Sequence, residues 1–440
     1  MEYLPTFGNT ALTIAAFVVA LSIIVAIHEY GHYIVGRWSG IHAEVYSLGF
    51  GPVLWSRHDK RGTKWQVAAI PLGGYVKFLG DANAASVGGD EEVPKARNTM
   101  LGAPLWARAA TVAAGPIFNF VLAALIFAGV LIFNGQASGQ LTVASVPDWP
   151  EDRAMELRAG DVVLSIDGQE LSFDDSYGPL VDTLPSAPSL TYEVERDGQV
   201  IAVQGPHPVP TLAASISPRS AADDADLRVG DVILSMNGTE VFAFNDMVAI
   251  VDAVGGTPVA LSVWRDGAIF ETTITPRLLP QRQDDGSLRD EYKLGIGSVG
   301  VFFDPVTEPV GPLRALWLGT RNTWEVITGS IQGLGAMISG AINHCSLNSP
   351  VGIAEAAGSM ASQGTMSFIS FVAVLSAAVG LLNLFPIPIL DGGHLMFYAY
   401  EAVTGRLPSD GALRIAMAIG LALIGTLMLF ALANDLFLCP

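Results

Sequence analysis

Residues 11–32 read ALTIAAFVVALSIIVAIHEYGH. The first 17 of these carry no charge, and His28-Glu29-Tyr30-Gly31-His32 follows without interruption. A helix needs about 20 apolar residues to cross a bilayer, so this stretch predicts a membrane span with ionisable groups at its end. On a helix, positions i and i+4 share a face, so His28 and His32 can present both imidazoles to one metal ion. Glu29 lies on nearly the same side and suits a base acting on an attacking water. A coincidental polar cap on a helix end is the bland alternative. Against it, the chain has only 7 histidines in 440 residues. An ionisable group deep in a span also costs about 2.5–3.5 kcal/mol on insertion scales, so such groups are usually functional.

The rest of the chain agrees with a membrane protein. Half of it is hydrophobic and 15% is charged, against about 25% charged in a typical soluble domain. That composition excludes a disordered or collagen-like chain. A net charge of −19 argues against nucleic acid as a partner. Two cysteines, Cys345 and Cys439, can form neither a disulfide framework nor a cysteine-rich zinc site. Besides Ala11–Val35, spans are expected at about Trp106–Phe133, Ser367–Leu390 and Ala412–Ala433. The leader MEYLPTFGNT has no basic residue, and no small-residue cleavage site follows, so the first span is expected to stay attached. Lys and Arg cluster between spans one and two, with Arg406 and Arg414 between spans three and four. The positive-inside rule then puts those connections in the cytoplasm and both termini outside. The long insert between spans two and three is extracytoplasmic on this reading. From Asp148 to Glu308 it holds 28 acidic and 10 basic side chains.

The insert repeats itself. Leu157-Arg-Ala-Gly-Asp-Val-Val-Leu-Ser-Ile-Asp-Gly168 aligns with Leu227-Arg-Val-Gly-Asp-Val-Ile-Leu-Ser-Met-Asn-Gly238. Val194-Glu-Arg-Asp-Gly198 aligns with Val263-Trp-Arg-Asp-Gly267. Each unit predicts a Gly-Asp turn, a strand, a tight Asp-Gly or Asn-Gly hairpin and a later strand pair closed by Arg-Asp-Gly. Two generic small β-rich domains would satisfy that pattern. Residues 281–293 look like a solvated loop. Leu313–Ile342 has helical apolar spacing, either along the membrane surface or packing the repeats against the spans.

A catalytic zinc needs three protein ligands and an open position. The third comes from elsewhere, and Asn383-Leu-Phe-Pro-Ile-Pro-Ile-Leu-Asp-Gly-Gly-His394 supplies candidates. Pro386 and Pro388 break the helix, and Gly392-Gly393 let the backbone turn and approach closely. Irregular backbone at membrane depth is tolerated where it is buried in protein or lines a cavity. Asp391 is the carboxylate placed by that break, and His394 remains open as an alternative ligand. His42, His58, His207 and His344 show no ligand spacing.

The insert pattern resembles bacterial protease-associated PDZ domains, which bind extended peptides at an open sheet edge. H-E-x-x-H in the first span with N-x-x-P-x-P-x-L-D-G-G near the third resembles the site-2 protease family of intramembrane zinc metalloproteases. Two PDZ units between spans two and three make the chain most similar to the regulator-of-sigma-E protease branch. The likeness covers essentially the whole chain. It implies an α-helical polytopic membrane protein with four transmembrane helices and two inserted β-rich PDZ domains. The implied order is a first span with the motif (1–36), a cytoplasmic loop with a membrane re-entrant β-hairpin (37–105) and a second span (106–134). Two PDZ domains (137–205 and 206–280) and a region with interfacial helices (281–365) come next. The third span (366–392), then the fourth with its tail (393–440), complete it.

By the same resemblance, Zn2+ is held by His28, His32 and Asp391, Glu29 is the catalytic base, and Asn383 binds substrate or the oxyanion. The implied partners are the bilayer, single-span substrates such as an anti-sigma factor cut first on its outer side, remnant signal peptides, and peptide C-termini at the PDZ domains. The implied place is the bacterial inner membrane, with termini and PDZ domains periplasmic. Gly49-Phe-Gly51 and Pro71-Leu-Gly-Gly-Tyr-Val-Lys77 resemble the family's substrate-contacting loop and hairpin. Ala114-Gly-Pro-Ile-Phe-Asn119 resembles its second-span motif, where small residues allow close helix packing. A non-catalytic PDZ membrane adaptor is the alternative, but it would not need Glu29 and Asp391 in the bilayer.

Overall fold

The computed structural model describes residues 7–80, 96–137, 141–170, 183–217, 220–282, 288–298, 302, 304–342 and 349–435. His344, Cys345 and Cys439 lie outside them. The chain divides into two compact units. One comprises Met1–Val130, Pro312–Ile331 and Leu347–Pro440, the other Leu131–Gly311 and Gln332–Ser346. In chain order the helices are α1 (Phe7–Trp38), α2 (Leu105–Asn134), α3 (Ala221–Asp224), α4 (Phe244–Val254), α5 (Pro312–Ile338), α6 (Pro350–Ser362), α7 (Thr365–Leu384), α8 (Asp391–Thr404) and α9 (Asp410–Ala433).

Among the described residues, four helices are long and apolar enough to cross a membrane: Thr10–Trp38, Leu105–Asn134, Thr365–Leu384 and Gly411–Ala433. Their outer faces carry large apolar side chains such as Ile415 and Leu429, both well exposed. Between them small residues are buried, with Ala123 packed among Ala373 and Ala377. Apolar burial drives little association between helices in lipid, so close packing of small residues does that work. α5 follows the same logic. Its buried stripe is Ala315, Gly319 and Thr323, and Gly319 lies against the Ala124 carbonyl of α2. Leu313, Trp317 and Trp324 remain exposed on the other side.

The third span is shorter than the sequence suggests. α7 ends at Leu384, where Phe385 is already extended with φ −63° and ψ 144°. Pro386 and Pro388 cannot donate to the helical ladder, and the residue before each proline is pushed out of the α region. The chain restarts as α8 at Asp391, an element that the sequence reading did not separate.

Two long strands, β1 (Ala43–His58) and β2 (Lys64–Phe78), pair antiparallel with irregular register. Tyr46 has partners on both sides, Val76 and Trp65. Its hydroxyl donates to the Ala26 carbonyl at 2.7 Å, which ties this sheet to α1.

In the second unit each repeat has its own sheet and core. Val162–Ile166 pairs with Leu190–Arg196, which pairs with Gln199–Gly205, and Val232–Met236, Val259–Arg265 and Ala268–Ile274 repeat that order. The four expected hairpin turns are present. Asp167, Asp197, Asn237 and Asp266 have φ of 47°, 54°, 49° and 49°, each followed by a glycine at positive φ. In the first repeat Arg196 grips Asp161 through Nε at 2.6 Å and a second nitrogen at 2.7 Å. Arg265 and Asp231 do the same in the second, both at 2.6 Å.

The repeats extend beyond their expected boundaries. Ile296–Gly297 pairs with Ser215–Ile216, and Asp304–Pro305 pairs with residues of Leu141–Ser145. Leu294 is in the second core and Phe302 in the first. Residues 281–293 are not a plain solvated loop, because Arg277–Arg282 and Leu288–Lys293 form a β-hairpin. Leu288-Arg-Asp-Glu-Tyr-Lys293 is mostly charged and leaves little apolar periodicity to read.

Candidate metal centre and active site

Three side chains from two helices converge. His28 Nε2 lies 3.1 Å from His32 Nε2. Asp391 Oδ2 lies 3.1 Å from His28 Nε2 and 3.4 Å from His32 Nε2. Both histidines are 9% exposed. Among the described residues these three form the one group of His, Cys, Asp or Glu able to share a metal ion. His394 lines the same cavity but is not in the triad, and its ring packs edge-on to Phe397.

Local sequence explains each placement. The i, i+4 spacing on α1 puts the two imidazoles on one face. His32 Nδ1 donates to the Thr111 carbonyl of α2 at 2.8 Å, so the proton is on Nδ1 and Nε2 offers its lone pair. α2 can come this close because residue 115 is glycine. A Cβ there would stand 2.3 Å from His32 Nε2 and 2.8 Å from His28 Cε1. Asp391 opens α8, and Gly392-Gly393 allow its first turn to lie on the preceding loop. A Cβ at either would be 2.3 Å from a carbonyl of residues 384–387.

The donor set fits zinc. Two imidazole nitrogens and one carboxylate oxygen are the borderline ligands this ion takes, and three protein ligands leave a fourth position open. Asp391 Oδ2 is buried without a well-directed hydrogen-bond donor, and three lone-pair atoms this close are stable around a shared cation. Glu29 and Asn383 line the same cavity of about 340 Å³. Val76 of β2 lines that cavity beside the Glu29 carboxylate. Asn383 donates its amide to the Val379 carbonyl at 3.0 Å, the bond of a helix end.

Some contacts that position the triad have no sequence signal. Thr111 acts through its carbonyl, and Arg108 pairs with Glu401, 293 residues away. In the second unit a cavity of about 510 Å³ runs between α4 and Leu294–Ser298. The alternation Leu294-Gly295-Ile296-Gly297 was its available signal.

A donor set that fits zinc at the junction of apolar helices is the arrangement of a membrane metallopeptidase. The peptidase family M50 model matches residues 16–427. The chain belongs to this family, the site-2 proteases, and is a zinc metalloprotease. It is 35% identical to a provisionally named zinc metalloprotease of Rhizobium meliloti (strain 1021), over 97% of both chains. A similarly named protein of Agrobacterium fabrum is 36% identical, over 96% of this chain and 95% of that one. The regulator of sigma-E protease RseP of Escherichia coli (strain K12) is 32% identical, over 96% of this chain and 98% of that one.

Proposed function

We propose that this chain cleaves single-span membrane proteins within the bacterial inner membrane, with His28, His32 and Asp391 as zinc ligands and Glu29 as general base. The observation that carries this reading is the His28–His32–Asp391 triad, its two buried histidines on a helix of membrane-spanning length, with Glu29 beside it in one cavity. When bound, zinc polarises the scissile carbonyl and acidifies water. Glu29 takes the proton from the attacking water and returns it to the leaving amine, which keeps the proton balance within one side chain. Asn383 offers an amide donor at the cavity wall for the developing oxyanion.

Substrate is presented as a strand. Gly74 and Val76 line the cavity beside Glu29. A transmembrane helix that unwinds here exposes peptide groups that need partners, and pairing with the β2 segment supplies them. The two repeats act as PDZ domains on the periplasmic side, together with both termini. The cavity between α4 and Leu294–Ser298 supports capture of an extended peptide end there. The substrate class is an anti-sigma factor already cut on its outer side, with remnant signal peptides as further substrates, in an envelope stress response. Purified protein in lipid, given a single-span peptide with and without a folded outer domain, tests this. Zinc-dependent cleavage within the span, faster for the trimmed peptide, is expected. Cleavage only outside the span contradicts it.

A further inference from the structure

Asn119 is a polar side chain in the middle of an apolar helix, and it is fully buried. Its backbone carbonyl accepts from the Ser376 hydroxyl at 2.9 Å, which fixes this turn of α2 against α7. Its amide lies 3.3 Å from His28 Nδ1, the ring nitrogen that faces away from the triad. The two ligand histidines therefore each meet α2 through Nδ1, His32 at the Thr111 carbonyl and His28 at the Asn119 amide.

The chemistry of the pair sets the direction of that bond. His28 turns Nε2 toward Asp391 Oδ2 at 3.1 Å. For Nε2 to offer a lone pair, the neutral ring must carry its proton on Nδ1, and that proton needs an acceptor. With the amide NH2 toward His28 the reverse would hold, and Asn119 Oδ1 is then a buried oxygen with no donor. The two ends of a carboxamide have nearly the same shape, so exchanging them moves no other atom. The exchange gives His28 an acceptor and removes the orphaned oxygen. Its cost moves to the amide NH2, which then needs an acceptor of its own, and a metal bond is set against that.

We propose that Asn119 is the positioning residue of His28: its carboxamide oxygen accepts the Nδ1–H and fixes the tautomer that leaves Nε2 free for zinc. This rests on His28 being a zinc ligand. The outer partner of a ligating histidine typically contributes 10–100-fold to metal affinity.

The test measures zinc affinity of the full chain in lipid by chelator competition, for His28→Ala, Asn119→Leu and Asn119→Asp. A carboxylate can only accept, so Asn119→Asp is expected to hold zinc as tightly as the parent or tighter. Asn119→Leu has the same shape without an acceptor and is expected to lose about 10–100-fold. The Co2+ absorption bands should stay parent-like in Asn119→Asp and change in Asn119→Leu. If His28→Ala keeps full affinity, the ligand assignment itself falls and takes this inference with it. If His28→Ala loses zinc while Asn119→Leu keeps it, or Asn119→Asp loses as much as Asn119→Leu, this inference alone is overturned.

Discussion

Arg108 at the start of α2 holds Glu401 of α8 through two hydrogen bonds, at 2.9 and 2.7 Å. The guanidinium also stands 5.2 Å over the Tyr398 ring. α8 begins at Asp391, so this clamp fixes the helix that carries the carboxylate of the triad against the helix that carries Gly115 and Thr111. Removing one partner of a buried, hydrogen-bonded pair typically costs about 3–5 kcal/mol, because the other charge is left unpaired. Glu401→Ala should therefore lower both thermal stability and zinc affinity. Replacing both residues together, as Arg108→Met with Glu401→Leu, should recover much of the stability and less of the zinc affinity. Equal recovery of both would show that the clamp does not position Asp391.

Gly115 provides a steric test. The methyl group of Gly115→Ala would fall 2.3 Å from His32 Nε2, so the ring must move off the triad. Zinc affinity should fall by at least about 10-fold, as when a ligand's supporting shell is disturbed. Gly129→Ala on the same helix meets nothing within 4 Å and serves as the control. Chelator competition on the two variants reads the difference.

Asp391 and His394 are one helical turn apart, but only Asp391 groups with His28 and His32. Asp391→Asn should release zinc, because a neutral amide oxygen is a weak ligand, while His394→Ala should retain it. Zinc content after dialysis against a mild chelator reports both. Full zinc in Asp391→Asn with loss from His394→Ala would reverse the assignment.

What the sequence made legible follows from how local each signal is. H-E-x-x-H needs only the helical period, and the Asp-Gly and Asn-Gly hairpins need only two residues each, so both could be read from short windows. The break before Asp391 was visible in Pro386 and Pro388. Its consequence, a separate α8, was not, because α8 follows the apolar run with no polar loop between them. The strands that complete the repeats escaped for a different reason. Ile296–Gly297 and Asp304–Pro305 are two residues long and pair with partners far back in the chain, so neither period nor turn chemistry marks them. Thr111 contributes a backbone atom, and backbone atoms leave no trace in residue identity.

The paired Arg196 and Asp161 predict an acid response in the first repeat. Burial pushes the Asp161 carboxyl up, but the Arg196 hydrogen bonds and the Arg158 N–H outweigh it and hold the group below the ordinary carboxylate range. A folded value below the unfolded one, about 3.9 for Asp, means that the charged form stabilises fully above the unfolded value. That contribution is lost as pH falls through the folded value. Amide protection in Val162–Ile166, taken relative to the intrinsic exchange rate at each pH, should fall across that window. Asp161→Asn should be less protected at neutral pH and show a flatter acid dependence. An unchanged acid profile in Asp161→Asn would remove this pair from the explanation.

Glu29→Gln separates proton transfer by Glu29 from zinc binding by His28, His32 and Asp391. The substitution keeps the size of the side chain and both histidines but removes the base. Zinc content and cleavage of a single-span peptide should be measured on the same purified sample in lipid. Zinc at the parent level with cleavage lower by about 10²–10⁴-fold, the range typical of general acid–base catalysis, is the predicted result. Near-parent turnover by the zinc-loaded Glu29→Gln protein would contradict it.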